Sequence, residues 1–148
     1  MTWLALGAFF IVVFAVAASG AFFTPGDWYA ALAKPSWNPP NWLFGPVWTV
    51  LYAMIAVSGW LVWQQEHNRL ALSLYAVQLV LNAAWSWLFF GRHAIGLALA
   101  DIVLLLLAIV ATIVLFWPLS RLAAGLLVPY ALWVAFATAL NAAIWRLN

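Results

Sequence analysis

Two kinds of side chain recur at helical spacing in this sequence: the indole of tryptophan and the carboxamide of asparagine or glutamine. Tyr75, Gln78, Asn82, Trp85, Ser86 and Phe89 fall on one helical face by i, i+3, i+4 spacing. Pro129, Trp133, Ala137 and Asn141 recur at strict fours, and Trp48 and Tyr52 share a third face. Indole is large, flat and polarisable and carries one hydrogen-bond donor, which suits a membrane interface and equally the wall of a pocket for a planar ligand. An inward Trp133 beside the small Ala137 describes either a slot for such a ring or ordinary core packing. An amide inside hydrocarbon costs several kcal/mol unless it is bonded, so Gln78 and Asn82 are expected to point into a bundle. For Gln78 the expected role is a bond between helices, worth about 1 kcal/mol.

Acid–base and metal chemistry have little to work with. There is no cysteine, so thiol nucleophiles, thiolate metal sites and disulfides are excluded. Asp101, Glu66, His67 and His93 show no metal-ligand spacing and form no relay, and no metal or cofactor is expected. Asp101 falls about two turns inside an apolar stretch, where a carboxylate is by default a functional candidate. Its expected partner is Arg92, His93 or a polar group on a neighbouring helix.

The elements that must position these residues are membrane spans. Of the 148 residues 70% are hydrophobic and 5% charged, with a mean hydropathy of +1.10, against about 25% charged in soluble domains. Five apolar stretches stand at 3–23, 43–63, 70–90, 95–117 and 122–145, each long enough to cross the hydrocarbon core. An alternating barrel pattern is absent. The chain therefore reads as an all-α, multi-pass integral membrane protein of one domain, 1–148, whose consecutive helices are antiparallel neighbours. Ser19-Gly20-Ala21 imitates a signal-peptidase site, but no basic n-region precedes it, so the first span is expected to be retained. The net charge of +2 comes from scattered residues and leaves no nucleic-acid footprint. Lys34, Arg92 and Arg146 against Arg69 and Arg121 place the first loop and the carboxyl-terminal side in the cytosol.

One connection is long. Residues 24–42 read TPGDWYAALAKPSWNPPNW, in which Thr24, Pro25 and Asp27 predict a helix start and Lys34-Pro35 a stop about two turns later. Pro39-Pro40 stiffens the approach to the second span. With Trp28, Tyr29, Trp37 and Trp42 aboard, the segment reads either as an interfacial aromatic belt or as a lid.

On these motifs the chain resembles the TspO/MBR family, the tryptophan-rich sensory proteins related to the mitochondrial translocator protein. The resemblance spans essentially the whole chain. It rests on WYAALAKPSWNPPNWLFGPVWTVLY at 28–52, NAAWSWLFFG at 82–91, VPYALWVAFATALN at 128–141 and the ending WRLN. It implies a bundle of five transmembrane helices, commonly a homodimer, with a ligand pocket beneath a first loop containing a short helix. Family members bind porphyrins and haem-pathway intermediates, and some bacterial members resemble light-dependent porphyrin-degrading catalysts in which Trp48 and Trp133 would take part. The resemblance places Asn82, Trp48, Trp133 and Ala137 at ligand-contacting positions. With Tyr29, Trp37 and Pro40 of the loop, and Tyr52 and Trp85 of the shared faces, these make the candidate ligand-binding set. Ala142 and Ala143 stand where animal members carry the tyrosine of a sterol motif, so sterol binding is not expected and a bacterial cell membrane is. Gly96-x-x-x-Ala100 permits close helix approach, within the bundle or in a dimer.

The resemblance favours a tetrapyrrole receptor or sensor in contact with membrane lipid. Rival readings are a transporter, a photochemical porphyrin-degrading enzyme and a structural subunit. Trp3, Trp63, Trp117 and Trp145, at span ends, are expected to be interfacial anchors.

Overall fold

A computed structural model describes residues 2–21 and 26–148, with side chains described for 2–19 and 26–148. Helix α1 covers Thr2–Ala21, α2 Asp27–Ala31, α3 Asn41–Trp63, α4 Arg69–Ser86, α5 Ile95–Phe116 and α6 Arg121–Leu147. A π-helical turn, Trp87–Gly91, extends α4. Five of these helices are long and apolar enough to cross a membrane, and the sequence expectation of five spans holds, with boundaries moved by a few residues. Arg92 lies over the Trp87 ring and Arg121 over Trp117, charges held against indoles at the span ends. Ser120 starts α6 by accepting a bond from the Ala123 amide at 3.1 Å, so one orphan donor of the helix start is satisfied.

The short helix differs from its expectation. The proposed caps Thr24 and Pro25 lie outside the described residues. Asp27 opens α2, but α2 is only five residues long and ends at Ala31, well before Lys34-Pro35. The Lys34 ammonium folds back and donates to the carbonyls of Tyr29 at 2.8 Å and Leu32 at 3.2 Å. The cation thus satisfies carbonyls that another helical turn would have used.

Helix α5 packs most extensively, against α4 and α6, and α6 also packs on α3. Helix α1 touches both α3 and α4, which meet each other only sparsely despite being consecutive. The three converge at Gly59, where a Cβ would stand 2.5 Å from Cζ of Tyr75 and 2.8 Å from Cε1 of Phe9. Only glycine permits that approach, and sequence spacing did not single it out. Gly96 of the small-residue pair instead receives the edge of Trp145, and Ala100 is exposed.

Buried polar side chains join the helices. Ser58 donates to the Ala123 carbonyl at 2.7 Å and Tyr75 to the Ile55 carbonyl at 2.8 Å. Trp60, unassigned from sequence, donates to the Thr2 carbonyl at 2.8 Å and stacks on Trp3. Both prolines inside spans, Pro46 of α3 and Pro129 of α6, lie within helix that continues on either side. Each still removes a backbone donor and frees a carbonyl one turn back.

Candidate functional site

The loop end of the bundle is hollow. A cavity of about 440 Å³ is walled by α3, α4 with its π turn, α5 and α6, touched by Ala17 of α1, and bounded on the loop side by Tyr29 of α2. Tyr29 is 6% exposed and packs on Phe89 and Phe90 at ring separations of 6.3 and 5.6 Å. Burial pushes its phenol above the ordinary value, and the hydrogen bond to Asn38 pulls it partly back. The hydroxyl is therefore neutral at physiological pH.

The walls are aromatic for a reason visible in the spacing. Phe44, Trp48 and Tyr52 recur at fours along α3 and all line the cavity. Trp48 stacks on Tyr52 at an inclination of 27°, with centroids 5.3 Å apart. Across the space it meets Trp133 of α6 at 6.5 Å and 87°. Trp85 stacks on Phe89 at 5.1 Å. In the π turn Phe89 and Phe90 both reach the cavity, with rings 4.9 Å apart. Ala137, one turn beyond Trp133, leaves open space beside the indole.

The polar groups on the wall are largely spent on the protein. Tyr52 donates to Oδ1 of Asn82 at 2.7 Å, Nδ2 of Asn82 donates to the Tyr130 hydroxyl at 2.7 Å, and Tyr130 donates to Oε1 of Gln78 at 2.7 Å. This chain ties α3, α4 and α6 together. Trp85 donates to Asn141 at 2.9 Å, and Asn141 donates to the Ile95 carbonyl at 3.1 Å, linking α4, α6 and α5. Asn82 thus borders the cavity while bonding two helices, and Gln78 is the interhelical link expected of it. Two buried donors, Nε2 of Gln78 and Nε1 of Trp133, have no hydrogen-bond partner among the described residues.

Of the candidate residues, Tyr29, Trp48, Tyr52, Asn82, Trp85, Trp133 and Ala137 are brought to this one cavity. Trp37 and Pro40 are not. Trp37 is 48% exposed and leans edge-on against Phe136, while exposed Pro40 serves as the N-cap of α3. The segment between α2 and α3 turns at Ser36-Trp37, where the Asn38 amide donates to the Pro35 carbonyl at 3.1 Å, and it brings neither Trp37 nor Pro40 to the lining. Phe44 was missed although it stands one turn before Trp48, so its signal was in the sequence. Ala17 was missed because its access depends on how α1 packs, and Phe90 because it stands one residue off the face that carries Asn82, Trp85 and Phe89.

Asp101 departs from expectation. It is buried on α5, and its Oδ2 has no partner among the described residues. Arg92 is held over Trp87 and His93 lies flat on Trp28, so neither pairs with it. Among the described residues no cluster of three metal-ligating side chains occurs.

Comparison with known proteins identifies the family. The sequence model of the TspO/MBR family matches residues 9–146. The chain is 42% identical to Protein CrtK of Rhodobacter capsulatus over 144 residues, 95% of this chain and 90% of that one. It is 45% identical to the human translocator protein over 137 residues, 87% and 81% of the two chains. It is 39% identical to the tryptophan-rich sensory protein of Cereibacter sphaeroides over 148 residues, 100% and 94%. The chain belongs to the TspO/MBR family of multi-pass integral membrane proteins.

Proposed function

We propose that this protein is a membrane receptor or sensor that binds a flat, largely apolar ligand of the tetrapyrrole class beneath its first loop. The observation that carries this reading is the cavity itself. Indole and phenyl rings from three spans face about 440 Å³ of space at the loop end, and among the described residues no charged side chain lines it. Volumes of this order are typical of small-molecule sites. The ring faces favour a planar π-system, and the scarcity of unspent polar groups disfavours small hydrophilic solutes. Membrane lipid covers the outer faces of the helices in this reading, and a homodimer is the assembly expected of the family.

A second reading, light-dependent porphyrin degradation, is favoured by one specific feature: Trp48 and Trp133 meet at 6.5 Å on the same cavity. An indole against an excited porphyrin is a competent electron donor. Titrating the purified protein with protoporphyrin, first in darkness and then under light, separates the two. Saturable quenching of tryptophan fluorescence is the expected result, reduced in Trp48→Phe and Trp133→Phe. Absence of saturation removes the tetrapyrrole ligand. Loss of porphyrin absorbance confined to the illuminated, protein-bound sample would favour the enzyme.

A further inference from the structure

The loop is held over the cavity in two different ways. One is aromatic: Trp28 lies flat on the His93 imidazole at 3.9 Å and 5° and meets Phe89 edge-on at 5.7 Å, beside the packing of Tyr29. The other is polar and involves a single side chain at the end of α6. The Ala33 amide donates to Oδ1 of Asn148 at 3.1 Å, and Nδ2 of Asn148 donates to the Ala33 carbonyl at 2.9 Å. Nδ2 also donates to the Ile144 carbonyl at 2.8 Å. One carboxamide therefore reads both backbone groups of one loop residue, as a peptide group would. The bond to Ile144 orients it from its own helix.

Ala33 is well placed to be held. The Lys34 ammonium already satisfies the carbonyls of Tyr29 and Leu32 just before it, and Pro35 just after it has no amide hydrogen. Ala33 sits between α2 and the proline-stiffened stretch with both its groups available. Among the described residues, these two bonds are the only side-chain hydrogen bonds between residues 26–39 and a spanning helix or its cap. Both partners are exposed to solvent, so water competes for every bond and the pairing yields to thermal motion instead of locking the loop.

We propose that Asn148 is a clasp that sets how long a ligand stays in the cavity. Releasing Ala33 frees the segment between α2 and Pro35, lets Tyr29 lift from Phe89 and Phe90, and opens the cavity toward the loop side. Asn148 itself does not line the cavity, so its loss changes the rate of passage more than the contacts of the bound state. The inference rests on the reading that the cavity holds a ligand.

Two variants and two readouts test it. Asn148→Ala removes the clasp. Asn148→Asp keeps the acceptor for the Ala33 amide, removes the donors, and sets a carboxylate against the Ala33 carbonyl. In ligand-free protein, hydrogen exchange at the Ala33 amide should be protected and should become about tenfold faster in Asn148→Ala, the scale of losing a pair of such bonds. Stopped-flow mixing with protoporphyrin should show association and dissociation both about tenfold faster in each variant, with Kd moving less than either rate. Equal Ala33 exchange in wild type and Asn148→Ala overturns the clasp. So does bound protoporphyrin that leaves at the wild-type rate in both variants. Protoporphyrin that does not bind wild-type protein at all removes the assigned ligand and with it the residence-time role. That failure is distinct, because the exchange measurement needs no ligand.

Discussion

At the end of the bundle away from the loop, Phe9, Gly59, Tyr75 and Phe116 close the space between α1, α3, α4 and α5. Tyr75 stacks on Phe116 at 6.0 Å, and no room is left for a Cβ at Gly59. At the loop end the helices stand around about 440 Å³ of cavity. Both ends are aromatic, so composition does not separate them. What differs is the small residue beside the large one. Gly59 lets three helices touch behind Tyr75, whereas Ala137 stands beside Trp133 with open volume next to it. Between the ends runs the polar chain Tyr52–Asn82–Tyr130–Gln78. It joins α3, α4 and α6 where the tight end gives way to the hollow one. A bundle that is open at one end needs such a tie, because the packing that would hold those helices together is absent there.

The sharpest way to break this contrast is to overfill the tight end. Gly59→Val places side-chain atoms where Tyr75 and Phe9 already stand, and both are wedged between helices. Overpacking of this kind costs about 1–3 kcal/mol or more. The protein in detergent should unfold at a markedly lower temperature or fail to accumulate in membranes. A variant with wild-type melting would show that α1 can move aside at no cost, and that the tight end is not what holds the bundle.

A smaller effect is expected from the tie. Tyr130→Phe removes one hydroxyl and with it the acceptor for Nδ2 of Asn82 and the donor to Gln78, whose own Nε2 already lacks a partner among the described residues. Bonds between transmembrane helices are worth about 1 kcal/mol each, so a loss of about 1–2 kcal/mol is expected in an unfolding titration. Because Asn82 borders the cavity, ligand affinity should fall as well. An affinity loss with unchanged stability would recast the chain as a recognition device instead of a tie.

How far this arrangement was legible in the sequence follows the same divide. The spans needed only local information, a run of about twenty apolar residues between breaks. The cavity wall was partly local too: Trp48 with Tyr52, Asn82 with Trp85, and Trp133 with Ala137 are helical-face pairs, and each face turns to the same space. What could not be read depends on a second helix. Gly59 looks like any glycine until Tyr75 and Phe9 arrive from other spans. Asn82 could not be divided between ligand and bundle without Tyr52 and Tyr130. Asp101 was expected to pair with Arg92, His93 or a polar group on a neighbouring helix, but Arg92 lies over Trp87, His93 stacks on Trp28, and Oδ2 of Asp101 has no partner among the described residues. Trp37 and Pro40 belong to the right loop yet do not line the cavity, and an irregular, proline-rich segment carries no helical period by which to assign a face.

The smallest change probes the hollow end alone. Ala137→Thr adds two heavy atoms beside Trp133, facing volume that the protein leaves unfilled. A threonine hydroxyl in a helix can bond the carbonyl one turn back, as Thr138 does to Val134 at 2.7 Å, so the substitution need not strand a polar group. Melting temperature should therefore stay close to wild type, in contrast to Gly59→Val at the other end. The slot beside the indole becomes narrower, and a planar ligand would have to tilt or leave ring surface uncovered. Loss of a few tens of Å² of contact at about 25 cal/mol per Å² predicts an affinity drop of severalfold to about tenfold. Protoporphyrin titration by tryptophan quenching reads that drop directly. Unchanged affinity would mean that the ligand does not use the space between Trp133 and Ala137. The binding surface would then lie on the Trp85–Phe89 side of the same cavity, and the asymmetry between Gly59 and Ala137 would be one of packing alone.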